Sequence, residues 1–452
     1  MAKVGGELLH PYVTVFLSGF AAVVVVPGIT DVTMSALCPG VDECSLAIYL
    51  SGFQQAITGV GTVLMLPLIG SLSDVYGRKA LLTLPMTLSI IPLVILAYNR
   101  TTSFFYAYYV AKTLTAVISE GSVLCLSLAY VADNVAEGQR ASAFGIVSGM
   151  MYATFVAGTF AARFLSTPQT FQVGAVVSMI AVVYMRIFLK DDFTIKSNTT
   201  DSLKHPILTT EAEEEEEETT PSTGSESSKE VGVFKKIPSP NDLLCLLKTS
   251  KTISQAAVVA FFNSLADGGL QASALYFFKA RFHFTKNQYA DLMLIMGIAG
   301  TVSQMIFMPL LAPVIREEKL LSIALFVGFL SMLMNSIAWS IWIPYVVAGF
   351  AMFSSFASPC LRSIVSKQVG PNEQGIAQGC ISGISSFANI ISPFIFSPLT
   401  DLFLSKRAPF YFPGFSIMCS GFATMIAFIP SLLIRTVPPT TNKKVSCNNC
   451  EA

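Results

Sequence analysis

The chain has 452 residues, of which 53% are hydrophobic and 12% charged, and its formal net charge is zero. Its mean hydropathy of +0.62 is far above that of an average soluble domain, so the composition argues against a soluble globular protein and indicates a membrane protein. The sequence contains no basic stretch with interleaved aromatic residues, and nothing in it indicates a nucleic-acid partner.

Twelve apolar segments follow one another along the chain. A helix needs about 20 apolar residues to cross a bilayer. Backbone groups in lipid must bond to one another, so we predict a helix for each segment, including those that contain proline. The sequence therefore predicts an all-α membrane protein with twelve transmembrane helices. The predicted spans are residues 9–33, 46–70, 81–98, 104–131, 141–163, 170–189, 254–278, 288–312, 319–337, 341–363, 377–399 and 410–434.

The first span contains one acid, Asp31, near its C-terminal end. A carboxylate at this depth either ends the helix at the membrane interface or contributes to a substrate site, and the sequence leaves both interpretations open. Two cysteines, Cys38 and Cys44, flank the short polar loop that follows. Whether they form a disulfide is equally open.

A short charged stretch, Gly70 to Leu82, separates the second span from the third. So short a connection between two membrane-length helices predicts a tight hairpin, and its positive charge predicts the cytoplasmic side. The stretch resembles the loop 2–3 motif of the major facilitator superfamily, G-x-L-x-D-x-x-G-R-[KR]. Within that superfamily it is similar to the drug:proton antiporter branch, in particular the tetracycline-transporter-like proteins related to the hippocampus abundant transcript group. The matching positions are Gly70, Leu72, Asp74, Gly77, Arg78 and Lys79.

The resemblance implies two six-helix bundles and a gate on their cytoplasmic side. It implies that Asp74, Arg78 and Asp133, at the end of the fourth span, form a charge cluster that braces the outward-facing state. Arg140 opens the fifth span close by. In the family, the loop aspartate also faces the N-terminus of the eleventh helix, here around residues 371–375, where a positive helix end favours a carboxylate. The alternative is that these charges only set the topology.

Two positions depart from the antiporter pattern. Where the family often has R-x-x-Q-G in the fourth span, this chain has Lys112 to Ala116, without the arginine. The G-P-x-x-G-G motif of the fifth span appears as residues 158–163 with a single glycine, Gly158. These departures weaken the specific prediction of antiport and leave the predicted fold unchanged.

The fourth span contains Glu120 in its apolar middle. An ionised acid at membrane depth costs on the order of 2.5–3.5 kcal/mol, so it must be neutral, paired or facing water. Lys112, Ala116 and Glu120 are spaced at i, i+4 and i+8, which predicts that Lys112 and Glu120 line one face of the helix. We interpret Glu120 as a proton-coupling or substrate-binding acid; the alternative is an ion pair buried for packing.

The seventh span contains a second acid, Asp267, in the same kind of apolar setting. Asn263, Asp267 and Gln271 fall at i, i+4 and i+8 and so form one polar stripe. Such a stripe is costly against lipid, so we predict that it faces a central cavity between the bundles. Asp267 is the second candidate for proton coupling or substrate binding, and a buried hydrogen-bonded pair is again the alternative.

The interval 190–253 interrupts the apolar pattern. Six consecutive acids, Glu213 to Glu218, are followed there by a run rich in Ser, Thr, Gly and Pro, which predicts a disordered cytoplasmic linker. The predicted organisation is a first bundle at 1–189, the linker at 190–253, a second bundle at 254–435 and a cytoplasmic tail at 436–452.

Lysine and arginine near the span ends predict the orientation. With the N-terminus inside, the cytoplasmic side collects most of them, including Arg78, Arg140, Arg362 and Lys367, while the cluster from Lys279 to Lys286 is the main exception. Both termini are therefore predicted to be cytoplasmic, in a membrane that the sequence does not specify. The three histidines lack metal-ligand spacing, so neither a metal nor a cofactor is predicted.

These features predict a secondary transporter that moves a small organic solute by alternating access with proton coupling. A uniporter or symporter of a small metabolite is one alternative, and a transporter-like receptor without net flux is another. An enzyme is not predicted, because no nucleophile with a base and no Walker sequence occurs. The expected partners are a small-molecule substrate, protons and the lipid bilayer. The substrate, the direction of transport and the oligomeric state stay open.

Overall fold

The computed structural model describes residues 2–37, 45–190, 250–284, 286–370, 373–404 and 408–434. All regular structure in these ranges is helical. The cysteine pair Cys38 and Cys44, residues 191–249 of the predicted linker, and the predicted tail at 436–452 lie outside the described residues.

The first half of the chain forms six long helices, two of which are broken. They are α1 (Ala2–Val24 and Val26–Leu37), α2 (Ser45–Tyr76), α3 (Arg78–Tyr98), α4 (Thr102–Ser119 and Ser122–Asn134), α5 (Arg140–Ala162) and α6 (Thr167–Phe188). A short 3₁₀ turn, Glu137–Gln139, leads into α5. Within this set, α1 packs on α5 and α6, and α3 packs on α4 and α6.

The second half forms six more helices. They are α7 (Lys251–Phe282), α8 (Lys286–Val302, continued by the π-helical turn Ser303–Phe307 and Met308–Leu311), α9 (Glu317–Ser336), α10 (Ile343–Ser354 and Ala357–Lys367), α11 (Gln374–Leu404) and α12 (Phe415–Leu433). Here α7 packs on α11 and α12, and α9 packs on α10 and α12. The two sets meet mainly where α2 lies along α11 and α5 lies along α8.

Eleven of the twelve helices are long and apolar enough to cross a membrane. The exception among the described residues is α7, whose middle contains the polar stripe of Asn263, Asp267 and Gln271. Large aromatic side chains are exposed at the end of the molecule away from Gly77, as in the aromatic belt of a membrane interface. They include Tyr98, Trp339, Trp342 and Tyr411.

The junction between α2 and α3 differs from the predicted hairpin. The second span was predicted to end at residue 70 and the third to begin at residue 81, but α2 continues to Tyr76 and α3 begins at Arg78. A single residue, Gly77, joins them with a φ of 91°, a conformation that suits glycine. The helices extend through Asp74 and Arg78 because these charges are neutralised by each other and by hydrogen bonds.

The fourth span was predicted as one helix, and the structure breaks it at Glu120 and Gly121. The first segment ends at Ser119, and Gly121 has a φ of 75°, in the left-handed region. Glu120 therefore follows the last helical residue of the first segment, with an extended backbone, instead of lying in the middle of a helix. Helix α10, the fourth helix of the second half, is likewise broken, between Ser354 and Ala357.

Candidate functional site

Four polar side chains meet at the junction of α2 and α3, and we call them the Arg78 cluster: Ser73, Asp74, Arg78 and Asp133. The Arg78 guanidinium forms an ion pair with Asp74, donates a hydrogen bond to Ser73, and bonds Asp133 Oδ2 through Nε at 2.9 Å. The Arg78 side chain is only 4% exposed. Two carboxylates around one buried guanidinium compensate its desolvation, which explains how the charges persist inside the protein.

Asp74 extends this cluster to the other half of the chain. Its carboxylate accepts hydrogen bonds from the backbone N–H groups of Gly375, at 3.0 Å, and Ile376, at 2.9 Å. Both groups belong to the first turn of α11, where unpaired N–H groups and the helix dipole attract an anion. Helices α2 and α11 approach so closely here that a Cβ atom on Gly70 would overlap the Gly375 carbonyl.

The other residues predicted for the gate have different surroundings. Lys79 is half-buried on α3, next to the cluster. Arg140 is buried at the start of α5 and donates from Nη1 to the Ser366 carbonyl oxygen of α10 at 2.9 Å. This bond also joins the two halves of the chain. Two separate contacts between a charged side chain and backbone groups therefore join the two halves of the chain at the Gly77 end.

The predicted polar stripe of α7 lies on one face of that helix. Asn263 Nδ2 donates to Asp267 Oδ2 at 3.1 Å, while Asp267 and Gln271 are exposed. Asp267 is close enough to Tyr152 of α5 for the two side chains to interact electrostatically. Tyr152 in turn packs over Gly300 of α8. The stripe therefore looks toward α5, in the opposite half of the chain.

The predicted polar face of α4 is not continuous. Lys112 is half-buried and Glu120 is exposed, but Ala116 between them is 1% exposed and packs in the interior. No hydrogen bond or ion pair joins the Lys112 and Glu120 side chains, or either of them to Asp267, within the described ranges. On α1, Asp31 is exposed and accepts a weak hydrogen bond from Thr167 at 3.4 Å.

Arg362 was counted among the basic residues near span ends that predict the orientation, and the structure places it in the interior rather than at the membrane surface. It lies five positions before Lys367 on α10, and only 9% of its surface is exposed. A topological arginine extends its head group to the membrane surface, whereas this one points inward. The helix continues beyond the predicted end of the span at residue 363, and no local signal in the sequence distinguished Arg362 from the other basic residues near span ends.

No group of histidine, cysteine or acidic side chains suited to a metal ion occurs among the residues that the structure describes.

Paired helical bundles, a charge cluster at their junction and polar residues on facing helices are the architecture of a membrane transporter. The Major Facilitator Superfamily model matches residues 12–393, so the chain belongs to this superfamily. The predictions of the family and of an all-α membrane fold are confirmed. The family is one of transporters rather than enzymes.

Similar proteins place the chain within the superfamily. Mouse Hippocampus abundant transcript 1 protein is 25% identical over 364 residues, which cover 78% of this chain but only 66% of the mouse protein. The class H tetracycline resistance protein of Pasteurella multocida is 21% identical over 361 residues, covering 79% of this chain and 80% of that protein. The crystal structure of the human organic anion transporter MFSD10 (TETRAN) superposes with a TM-score of 0.68 at 17% identity, covering 95% of this chain and 99% of the other.

Proposed function

We propose that this chain is a secondary active transporter that moves a small organic solute by alternating access, with the solute flux coupled to protons. Asp267 is the observation on which the proposal rests. It is an exposed carboxylate at the middle of α7 that looks toward Tyr152 of the opposite bundle. Exposing an ionised carboxylate to lipid at this position would be energetically costly. A carboxylate that faces a polar space can instead bind and release a proton, as proton coupling requires.

The Arg78 cluster supports the alternating-access part of the proposal. Asp74 holds the N-terminus of α11, and Arg140 holds the end of α10, each through hydrogen bonds to backbone groups. Contacts of this kind break and re-form without repacking an apolar core. The membrane potential supplies about 2.3 kcal/mol per elementary charge per 100 mV, which is enough to bias such an equilibrium. We place this end of the molecule, with both termini, on the cytoplasmic side.

Glu120 is the second acid in the proposed mechanism. It lies exposed at the break of α4, where the left-handed Gly121 interrupts the helix. We assign Asp267 the primary role because its contact with Asn263 and its position beside Tyr152 connect it to both bundles.

The test is proton-driven uptake by the purified full-length chain in liposomes. A pH gradient is imposed, solute accumulation is followed by mass spectrometry, and proton movement is followed with an internal pH dye. The similarity to a tetracycline resistance protein makes tetracycline the first solute to test, followed by a metabolite mixture. The expected result is accumulation that rises with the gradient and is accompanied by proton movement in a fixed ratio.

Asp267→Asn is expected to abolish gradient-driven accumulation and to retain solute exchange without a gradient, because the neutral amide preserves shape but not protonation. Glu120→Gln is expected to have a smaller effect. Asp401→Asn is the matched control, since Asp401 is an exposed aspartate on α11 away from these groups. Undiminished gradient-driven uptake in both Asp267→Asn and Glu120→Gln would reject proton coupling. Binding of a solute without any flux would favour a receptor instead.

A further inference from the structure

A second polar site lies below the stripe of α7, where helices α7, α10 and α11 meet. It is a cavity of about 30 Å³, room for a few waters or one small head group. Its polar lining comes from all three helices, and Arg362 is the charged residue of that lining. The polar residues of the lining are Asn263, Ser264, Ser358, Arg362 and Ser385.

The hydrogen bonds of Arg362 leave part of its guanidinium unused. Nη1 donates to Gln378 Oε1 and to Ser382 Oγ, both at 3.1 Å. The Gln378 amide donates back to the Arg362 carbonyl oxygen at 3.2 Å, which fixes the orientation of the glutamine. The Nε and Nη2 groups of Arg362 have no partner among the described residues, and Arg362 is one of the residues that line the cavity.

Both side-chain acceptors of Arg362 are neutral. No carboxylate among the described residues forms an ion pair with Arg362. Burying a guanidinium is costly unless a negative charge accompanies it. The geometry therefore offers a positive, nine-tenths buried group to whatever enters the cavity.

We propose that this cavity binds the carboxylate of an anionic organic solute, with Arg362 as the binding group. This inference rests on the proposed transport function and names its substrate class. A planar guanidinium with two adjacent unused N–H groups matches a carboxylate in a bidentate pair. The serine and asparagine groups around the cavity add neutral donors that orient the anion without competing for its charge.

The position of the cavity connects it to the proposed proton site. Asn263 lines the cavity and also donates its side-chain amide to Asp267, one turn along α7. Cys125, on α4 of the first bundle, lies near Arg362. An anion at Arg362 would thus lie where the bundles meet, beside the carboxylate assigned to proton binding. Protonation of Asp267 would lower the negative charge that opposes anion entry.

The experiment measures stabilisation of the purified full-length protein against heat by pairs of solutes that differ in charge. Benzoate, salicylate and glutarate are each compared with the corresponding amide at constant pH and ionic strength, and chloride and phosphate are tested in parallel. The expected result is that at least one carboxylate raises the melting temperature more than its amide and more than either inorganic ion. This comparison uses the wild-type chain and requires no variant.

Three variants then locate the site. Arg362→Gln retains hydrogen-bonding capacity without charge and is expected to raise the half-saturating carboxylate concentration by about tenfold or more. Arg362→Lys retains the charge without the planar fork and is expected to lie between Arg362→Gln and the wild type. Arg163→Gln, which removes an exposed arginine at the end of α5, is expected to match the wild type. A purely structural role of Arg362 would lower the melting temperature of the solute-free protein and leave the preference for acid over amide intact.

Equal stabilisation by acids and amides in the wild type overturns the inference, as does an acid preference that survives in Arg362→Gln. Stabilisation by chloride or phosphate alone overturns it too. If carboxylates bind through Arg362 but no gradient-driven uptake occurs, the binding site stands and the transport proposal fails. If neutral solutes are driven by protons and Arg362→Gln leaves that flux unchanged, transport stands and the carboxylate site fails.

Discussion

The α2–α3 junction of the first bundle corresponds to the α8–α9 junction of the second. At each junction, one charged side chain forms an ion pair with a residue at the end of another helix. When Gly70–Leu82 is placed on Pro309–Leu321 without gaps, Glu317 falls at the position of Arg78. Arg78 bonds Asp133 at the end of α4 at 2.9 Å, and Glu317 bonds Lys367 at the end of α10 at 2.8 Å. The two bundles therefore keep the pair in the same place with its charges exchanged.

The two pairs differ in what they hold together. The Arg78 pair includes Asp74, which bonds the first turn of α11 in the other bundle. Pro313 falls at the position of Asp74 in the second bundle, so the Glu317–Lys367 pair has no equivalent acid. On that side the bridge between bundles is Arg140, which bonds the Ser366 carbonyl. An acid at a helix N-terminus and a base near a helix C-terminus both suit the helix dipole.

This difference assigns separate roles to two similar pairs. The Arg78 pair lies in a contact between bundles, so in the proposed mechanism we expect its strength to set how readily the Gly77 end opens. The Glu317–Lys367 pair lies within the second bundle, with Lys367 23% exposed, so it contributes chiefly to that bundle's own stability. The predictions below test that assignment, beginning with the largest expected effect.

Asp74→Asn is expected to open the Gly77 end. The amide preserves the shape of the side chain but removes the charge that attracts Arg78 and the N-terminus of α11. Breaking a buried ion pair costs about 3 to 5 kcal/mol, which would lower the ratio of closed to open molecules by a factor of about 100 or more. The measurement is the distance between spin labels at Gly138 and Val314, one in each bundle and both exposed.

Asp401→Asn is the control for this variant, since it makes the same chemical change at an exposed position. A Gly138–Val314 distance distribution that is the same in Asp74→Asn as in the wild type would show that Asp74 does not hold the bundles together. The Arg78 and Glu317 ion pairs would then differ in the order of their charges but not in their role.

Gly70→Ala is expected to open the same end by a steric route. Its Cβ atom would overlap the carbonyl of Gly375, and backbone atoms cannot move aside as a flexible side chain can. Overpacking of this kind costs about 1 to 3 kcal/mol, so the shift in the same spin-label distance is smaller than for Asp74→Asn. Gly349→Ala is the matched control because a Cβ on Gly349 meets nothing within 4 Å. An unchanged distance in Gly70→Ala would show that α2 and α11 are not tightly apposed.

Hydropathy and one motif were sufficient to predict the twelve helices and the family, because the membrane permits few alternatives to apolar helices. The helix ends at residues 70 and 81 were predicted wrongly because the charges between them were taken as loop. Their neutralisation depends on Asp133 and on the N–H groups of Gly375 and Ile376, which are distant in sequence. No local window contains that information.

The candidate site was predictable only where a charge interrupts an apolar run. Asp267 and Glu120 stand out in this way, and the glycine after Glu120 was a local signal for the break in α4. Arg362 could not be separated from the topological arginines, because its burial depends on Gln378 and Ser382, which α11 supplies 16 and 20 positions later. Whether a charged residue near the end of a span is buried depends on tertiary contacts, which the local sequence does not show.

The smallest expected effect is the difference in coupling energy between the two pairs. Double-mutant cycles with Arg78→Ala and Asp133→Ala, and with Glu317→Ala and Lys367→Ala, isolate each pair from its surroundings. We expect a coupling energy of about 2 to 3 kcal/mol for the first pair, in which both side chains are mostly buried. For the second pair we expect about 1 kcal/mol or less, because water screens Lys367. Unfolding of the purified protein by denaturant provides the free energies.

The exchanged charges allow a direct reversal of each pair. Glu317→Lys combined with Lys367→Glu is expected to restore the unfolding free energy lost in either single variant, because that pair is bound within one bundle. Arg78→Asp combined with Asp133→Arg is not expected to restore closure of the Gly77 end, since the carboxylate introduced at the start of α3 would repel Asp74. If reversal restored both the unfolding free energy of the Glu317–Lys367 pair and closure of the Gly77 end, the separate roles assigned to the two pairs would be contradicted. Such a result would mean that Asp74 tolerates either sign of charge at the first position of α3.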